Sequence, residues 1–349
     1  MIFASEGKVF DKYNKQLLWK SSDQNSWYEW WYFKVNDQKS GRSFYFVYGL
    51  VNPWDRNQTL ISSKAFVQAG DFSQMKIIEE KFKPQDFKKT KNSILQIGKS
   101  NDFSEKHLRG DIVNESGHRV RWDLTVAHDW EFNAMGWTIR FPEISNIYWY
   151  PAQASTSMNG WIEFDGERTE ILDGAGYQDR NWGRSFPDWW AWLVANNFKN
   201  SPGTVLAAGG GRPKILNKIN IIDGFTIGLK HEGQEYSWRL PDLDKITLDI
   251  HFGRWIVSGK NRKGMKIEIE AFAPKEKFMI LPFMTPQGKV FKDYETLSGN
   301  MTVRLYKKEA KTKEYKLVTT LETDQAGIEY GSFHEFALEK LFNTHLMLQ

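Results

Sequence analysis

The chain has 349 residues, enough for two domains, with 15% aromatic and 26% charged residues and a net charge of only +4. That is a folded composition without the basic excess that nucleic acid binding demands, so no nucleic acid partner is expected. The chain contains no cysteine, which excludes disulfides, thiolate nucleophiles and Cys-based metal sites.

The first residues, Met1-Ile-Phe-Ala-Ser-Glu-Gly-Lys8, lack a basic region followed by an apolar run, and no stretch reaches the roughly 18 apolar residues of a spanning helix. The expectation is a cytoplasmic protein, with peripheral membrane contact left open by its weak positive charge. Trp27-Tyr-Glu-Trp-Trp-Tyr-Phe-Lys-Val35 reads as a β-strand. Alternation sets Glu29, Trp31 and Phe33 on one face and Tyr28, Trp30 and Tyr32 on the other. Ser43-Phe-Tyr-Phe-Val-Tyr-Gly-Leu-Val51 reads as its hairpin partner. Short strands follow at Lys64–Gly70, Met75–Glu79, Ser93–Gly98, His107–Val113 and Arg119–Val126, while Lys81–Lys91 reads as a short helix or an exposed strand.

Past residue 200, strands are expected at Thr204–Gly211, Gly224–Lys230, Glu235–Arg239, Lys245–His251, Arg254–Ser258, Met265–Phe272, Leu297–Lys307 and Tyr315–Leu321. Turn signals such as Asn101-Asp102, Asn114–Gly117 and Asp165-Gly166 recur at the spacing of an all-β protein. Helical periodicity is confined to Phe333–Leu346, which suits a short terminal helix. The expected architecture is all-β, a barrel or sandwich in two units, 1–200 and 201–349, with the boundary at Lys199-Asn-Ser-Pro-Gly203.

The stretch that carries chemistry is Gly174-Ala-Gly-Tyr-Gln-Asp-Arg-Asn-Trp-Gly-Arg-Ser-Phe-Pro-Asp-Trp-Trp-Ala-Trp192. If it is extended, Tyr177 and Asp179 are i and i+2 and share a face. Trp182, Trp189, Trp190 and Trp192 add aromatic walls beside the carboxylate. Ring faces attract a positive centre, and a carboxyl group among them can hold its proton as an acid. The same residues also suit a buried Trp-rich turn with a structural Asp–Arg pair.

Asp111, in Leu108-Arg-Gly-Asp-Ile-Val113, is either a lone carboxylate in an apolar cavity or the surface partner of Arg109 or Arg121. Gly209-Gly-Gly211 lacks the Lys-Ser/Thr and the following helix of a phosphate cradle. The seven histidines are scattered, without zinc spacing, and no Gly-x-Ser-x-Gly elbow is present. No metal and no cofactor is expected. An Asp-Asp-x-x-Asp run, the kind that binds a magnesium diphosphate, is missing too, which leaves protonation as the way to a cation.

Tyr28-Glu-Trp-Trp-Tyr-Phe-Lys-Val35, Phe44–Pro53, Ala65-Phe-Val-Gln-Ala-Gly70, Asn181-Trp-Gly-Arg-Ser-Phe-Pro187, Trp190-Ala-Trp192, Asn196 and Leu206–Gly211 occur in an order that resembles the tocopherol cyclase-like proteins. These belong to a wider lipocalin-like group with the carotenoid 1,2-hydratases. The resemblance implies two lipocalin-like β-barrel or sandwich units packed together and a cofactor-independent enzyme acting on a hydrophobic prenylated small molecule. Tyr177-Gln-Asp179 is similar to the Tyr-x-Asp pair of the hydratases, which is assigned to acid/base work. The expectation is proton-initiated cyclisation, with Asp179 or Asp111 as acid and Tyr177 orienting it or relaying the proton. Glu29, Trp30, Trp31, Asn181, Trp182, Trp190 and Trp192 would line the substrate, Glu29 serving either as a second acid/base or as the ion-pair partner of Arg180 or Arg184. Hydration of a prenyl double bond, a decalin-forming pericyclase and a non-enzymatic lipid carrier stand as alternatives, since the fold alone does not fix the substrate.

Overall fold

A computed structural model describes residues 13–90, 93–141, 144–216, 223–251 and 253–333. Past Phe333, the helix expected over Phe333–Leu346 lies outside these residues. The chain divides into two units: Met1–Asn133 with Ile147–Ser185 and Met284–Lys289, and Ala134–Asn146 with Phe186–Phe283 and Val290–Gln349.

The first unit holds β1 (Tyr28–Asn36), β2 (Ser43–Val51), β3 (Lys64–Asp71), β4 (Lys76–Phe82), β5 (Phe87–Lys88) and β6 (Leu95–Ile97). It continues with β7 (Asn101–Phe103), β8 (His107–Val113), β9 (Arg119–Trp130), β10 (Ile147–Phe164) and β11 (Glu167–Gly183). They form one 11-stranded sheet in the order β4-β3-β2-β1-β11-β10-β9-β8-β7-β6-β5. Its ends curl together, the Val113 N–H of β8 donating to Glu80 Oε2 of β4 at 2.9 Å. The curl follows from alternation: Trp31, Phe33, Phe46, Tyr48, Trp122 and Leu124 point inward and fill the interior. Strands β1 and β2 are buried at every position, so both of their faces exclude water.

Hairpin β10–β11 turns at Asp165 and Gly166, whose φ angles of 48° and 88° suit the tight turn that matches strand twist. Gly176 on β11 is needed for packing: a Cβ there would meet Thr156 Oγ1 at 2.2 Å. The described part of the segment expected as a short helix or an exposed strand, residues 81–90, is neither a regular helix nor a full strand. It is the end of β4, a 3-10 turn at Pro84–Asp86 and the two-residue β5.

The second unit holds β12 (Trp189–Ala195), β13 (Val205–Gly211), β14 (Gly224–His231), β15 (Gln234–Arg239) and β16 (Lys245–His251). With β17 (Arg254–Lys260), β18 (Met265–Phe272), β19 (Met279–Met284), β20 (Val290–Lys308) and β21 (Tyr315–Ser332) they make a 10-stranded sheet in the order β15-β14-β13-β12-β21-β20-β18-β17-β16, with β19 beside β20. Leu193, Leu206, Ile227, Trp238, Trp255 and Ile269 fill its interior. Strand β12 pairs with β13 and β21, so it belongs here and not to a unit ending near residue 200. The break comes earlier, between the end of β11 at Gly183 and the start of β12 at Trp189, a stretch that holds Pro187. Among the described residues no helix is long and apolar enough to cross a membrane.

Candidate active site

The long β11 is paired with β1 and β10 in antiparallel register. Its alternation sends Tyr177, Asp179 and Asn181 to one face and Gln178, Arg180 and Trp182 to the other. Asp179 is buried, and its carboxylate is met by three donors. Oδ2 accepts from the Trp149 Nε1–H at 2.7 Å and the Tyr177 hydroxyl at 2.8 Å, and Oδ1 accepts from the Asn181 amide at 3.2 Å. Burial pushes the Asp179 carboxyl up to about 7, although the hydrogen bonds from Trp149 and Tyr177 pull the other way. Desolvation is the larger effect, since burial penalises the charged form of the carboxyl. Oδ1, with a single and longer hydrogen bond, is the less committed of the two oxygens.

Around this acid the face is aromatic. Tyr32 lies opposite Asp179 and Trp30 opposite Asn181 on β1. The Tyr32 ring meets Tyr177 edge-on at 6.5 Å and stacks on Tyr45 at 6.1 Å, while Trp30 packs on Tyr28 at 4.6 Å. The Tyr45 hydroxyl donates to Gln68 at 2.9 Å. Lys34, fully buried and in register with Tyr177, donates to Asn36 Oδ1 at 2.7 Å.

Of the residues named from sequence, Tyr177, Asp179, Asn181 and Trp30 thus share one face. Trp31 and Trp182 do not. Trp31 points into the filled interior with its indole N–H on the Asn14 carbonyl. Trp182 is stacked between Tyr148 and Tyr13 at 5.4 and 5.8 Å. Glu29 is on that opposite face too, fully buried and paired with Arg180 at 2.5 Å. Asp111 is no cavity acid: it accepts both arms of Arg119, at 2.8 and 2.6 Å, at the surface, and that ion pair holds its carboxyl below the usual range. In register Asp111 faces Arg121, but its ion-pair partner is Arg119, two residues away on the same face of β9. Trp190 and Trp192 belong to the second unit, where the Trp190 indole donates to Asp293 at 3.2 Å.

Sequence reading missed Trp149, Tyr32 and Tyr45. Tyr32 was legible from the alternation of β1, but Trp149 was not: β10 slips register between Tyr150 and Gln153, so its facing cannot be counted from the turn. Also missed were Asp293, Glu295 and Glu329 of the second unit, whose carboxylate oxygens lie within 4.8 Å of one another, the spacing of a metal-binding group. Burial pushes Asp293 up to about 7, opposed by hydrogen bonds with Glu329 and Trp190. The first unit has a cavity of about 110 Å³ lined by Asn14, Glu105, His128, Glu131, Tyr150 and Gln153. Tyr150 and Gln153 pair with Arg180 and Gln178, so this polar cavity opens on the face away from Asp179. It is also smaller than the several hundred Å³ of a typical organic ligand site.

A family model described as tocopherol cyclase-like matches residues 69–332. The chain is 26% identical to the chloroplastic tocopherol cyclase of Zea mays, across 87% of this chain and 74% of that protein. It is also 26% identical to a probable chloroplastic tocopherol cyclase of Oryza sativa subsp. japonica, across 87% and 75%. Among solved structures, CghA superposes with a TM-score of 0.53 over 88% of each chain at 12% identity. At that identity the likeness speaks for the fold alone, and it agrees with two curled, lipocalin-like antiparallel sheets.

Proposed function

This chain belongs to the tocopherol cyclase-like family, and from that premise we propose that it closes a ring on a prenylated aromatic or related isoprenoid by proton-initiated cyclisation, with Asp179 as the acid. The observation that carries this reading is a buried carboxyl held near 7 on an aromatic face. Such a group still carries its proton in about half of the molecules at neutral pH, and it releases that proton to a weak base only when the resulting carboxylate is stabilised. Tyr177, Trp149 and Asn181 supply that stabilisation, because all three donate to the carboxylate that protonation of the substrate leaves behind.

In the proposed step the Oδ1 proton adds to one alkene carbon of the prenyl chain, and the other becomes a tertiary cation. Trp30 and Tyr32 offer ring faces to that charge. A phenol oxygen of the same molecule forms the new C–O bond, and its proton returns to Asp179. No atom is gained or lost, so the reaction is an isomerisation and needs neither a metal nor a nucleotide to balance.

Turnover of a prenylated hydroquinone in heavy water tests it. The expected product is an isomer with one new carbon-bound deuterium. A product heavier by one water assigns the chain to hydration instead, and an unlabelled isomer assigns it to a pericyclic route.

The pH dependence follows from the same group. The acid must be protonated, so kcat is expected to be flat below about pH 7 and to fall about tenfold per unit above it. Trp149→Phe removes a donor that favours the carboxylate and should move this alkaline limb upward. A limb that stays in place in the variant counts against Asp179 as its source.

A further inference from the structure

The second unit carries an exposed apolar patch that its core does not explain. Two 3-10 turns, Gly136–Arg140 and Leu240–Asp242, bring it together. Trp137, 54% exposed, donates its indole N–H to the Pro241 carbonyl at 3.2 Å and meets the exposed Phe141 ring edge-on at 5.7 Å. The Phe141 carbonyl accepts from the Ile144 N–H, and the Ile144 carbonyl from the Leu216 N–H at 2.8 Å, which ties the backbone at Leu216 to the segment that follows Phe141. Leu240 and Leu243 extend the patch from the other turn. Leu243 is 75% exposed and Leu216 59%.

Two features separate this patch from the apolar residues scattered over any surface. Leu216 and Leu243 have φ angles of 49° and 62°, a left-handed backbone that disfavours a residue with a Cβ and that Gly or Asn adopts more easily. Exposed leucines in that conformation bring folding no benefit from either backbone or burial. The rim is also cationic. Arg140 follows Trp137, Lys214 precedes Leu216 and Lys245 follows Leu243, and none of the three has a carboxylate partner among the described residues. Among the described residues, the two acids of the Leu240–Lys245 turn are already committed. Asp242 pairs with Arg239 at 2.6 Å, and Asp244 is buried and accepts the Arg239 and Arg262 N–H groups.

We propose that this patch docks the protein on an anionic lipid surface. Turn-tip Trp, Phe and Leu side chains, with neighbouring cations that have no carboxylate partner among the described residues, match the interface between acyl chains and acidic headgroups. The inference stands apart from the assignment of Asp179 and holds whichever reaction the chain performs.

Vesicle flotation of the full chain tests it, with phosphatidylcholine alone or mixed with phosphatidylglycerol. The protein is expected to float with the anionic vesicles and poorly with the neutral ones, and added salt should reduce the bound fraction. Leu216→Asn/Leu243→Asn should lower the bound fraction about tenfold. It should keep or raise the thermal midpoint, because Asn fits the left-handed backbone, so a loss of binding is not a loss of folding. Arg140→Gln/Lys245→Gln should weaken anionic binding and flatten its salt dependence. Turnover of a short-chain, water-soluble substrate should be unchanged in both variants. Absence of flotation with anionic vesicles overturns the proposal, as does a Leu216→Asn/Leu243→Asn variant that floats like the parent. So does a dimer mass in light scattering that this variant converts to monomer, which would make the patch a contact between copies.

Discussion

Asp179→Asn should reduce turnover by about a thousandfold or more while leaving the protein folded. The change is nearly isosteric. The Asn oxygen can keep the Trp149 and Tyr177 hydrogen bonds, and its amide can face Asn181, whose own amide group can turn to accept. What is lost is the proton. Asp111→Asn is the control, since it removes only a surface ion pair with Arg119 and should change turnover by no more than about twofold. Stability should move the other way from activity. In the folded state Asp179 holds its proton up to about pH 7, whereas in an unfolded chain it loses it near pH 4. The folded state therefore binds more protons between those values, so parent stability declines as pH rises from about 4 to about 7 and levels off above that. Asp179→Asn escapes the decline. By urea unfolding at pH 8 it should be the more stable protein, by no more than about 4 kcal/mol, with the gap closing towards pH 4. Wild-type turnover in Asp179→Asn would remove the acid from this position. A stability gap that does not depend on pH would mean the carboxyl is ionised as easily inside as outside.

How much of this was legible in the sequence depends on which physical signal each element carries. Strands with one wet face, such as Lys245–His251 and Met265–Phe272, alternate cleanly and coincide with β16 and β18. The aromatic run 27–35 was legible as a strand with two distinct faces because β-branched and aromatic residues have few other uses in such density. The pairing of Tyr177 with Asp179 followed from the two-residue period of a strand. Strand β11, however, was hidden behind its glycines, which read as turn residues. Gly176 is there because Thr156 and Met158 crowd the sheet from the next strand, a reason that exists only once β10 is in place. The Asn181–Trp192 run also looked continuous, yet it is divided between two sheets, β11 ending at Gly183 and β12 starting at Trp189. Trp182 and Trp190 therefore serve different units, although they stand eight positions apart. Asp111 was misjudged for want of one fact, the register that sets it beside Arg119–Arg121.

Arg180→Met should destabilise the first unit by about 3–5 kcal/mol, and Glu29→Leu by a similar amount, whereas the double variant should recover most of the loss. Both groups are fully buried, with Arg180 Nη2 at 2.5 Å from Glu29 Oε2. Removing either one strands a charge in a medium that solvates it poorly. Desolvation already lowers the Arg180 guanidinium from its usual range, and Glu29 holds it up. The pair also ties down the residues that precede β1. Arg180 Nη1 donates to the Tyr13 and Gln16 carbonyls at 2.7 and 2.6 Å, and the Leu18 N–H donates to Glu29 at 3.1 Å. The guanidinium lies 4.1 Å from the centre of the Trp31 ring, which adds a contact that Met can partly replace. A double-mutant cycle in urea should therefore show coupling well above the few tenths of a kcal/mol that independent sites give. The same cycle decides the role of Glu29. If it only neutralises Arg180, the double variant regains turnover along with stability, and the alkaline limb set by Asp179 does not move. If Glu29 takes or gives a proton in the reaction, Glu29→Leu/Arg180→Met is stable and inactive. The face that Glu29 occupies, opposite Asp179 across the thickness of the sheet, favours the first outcome.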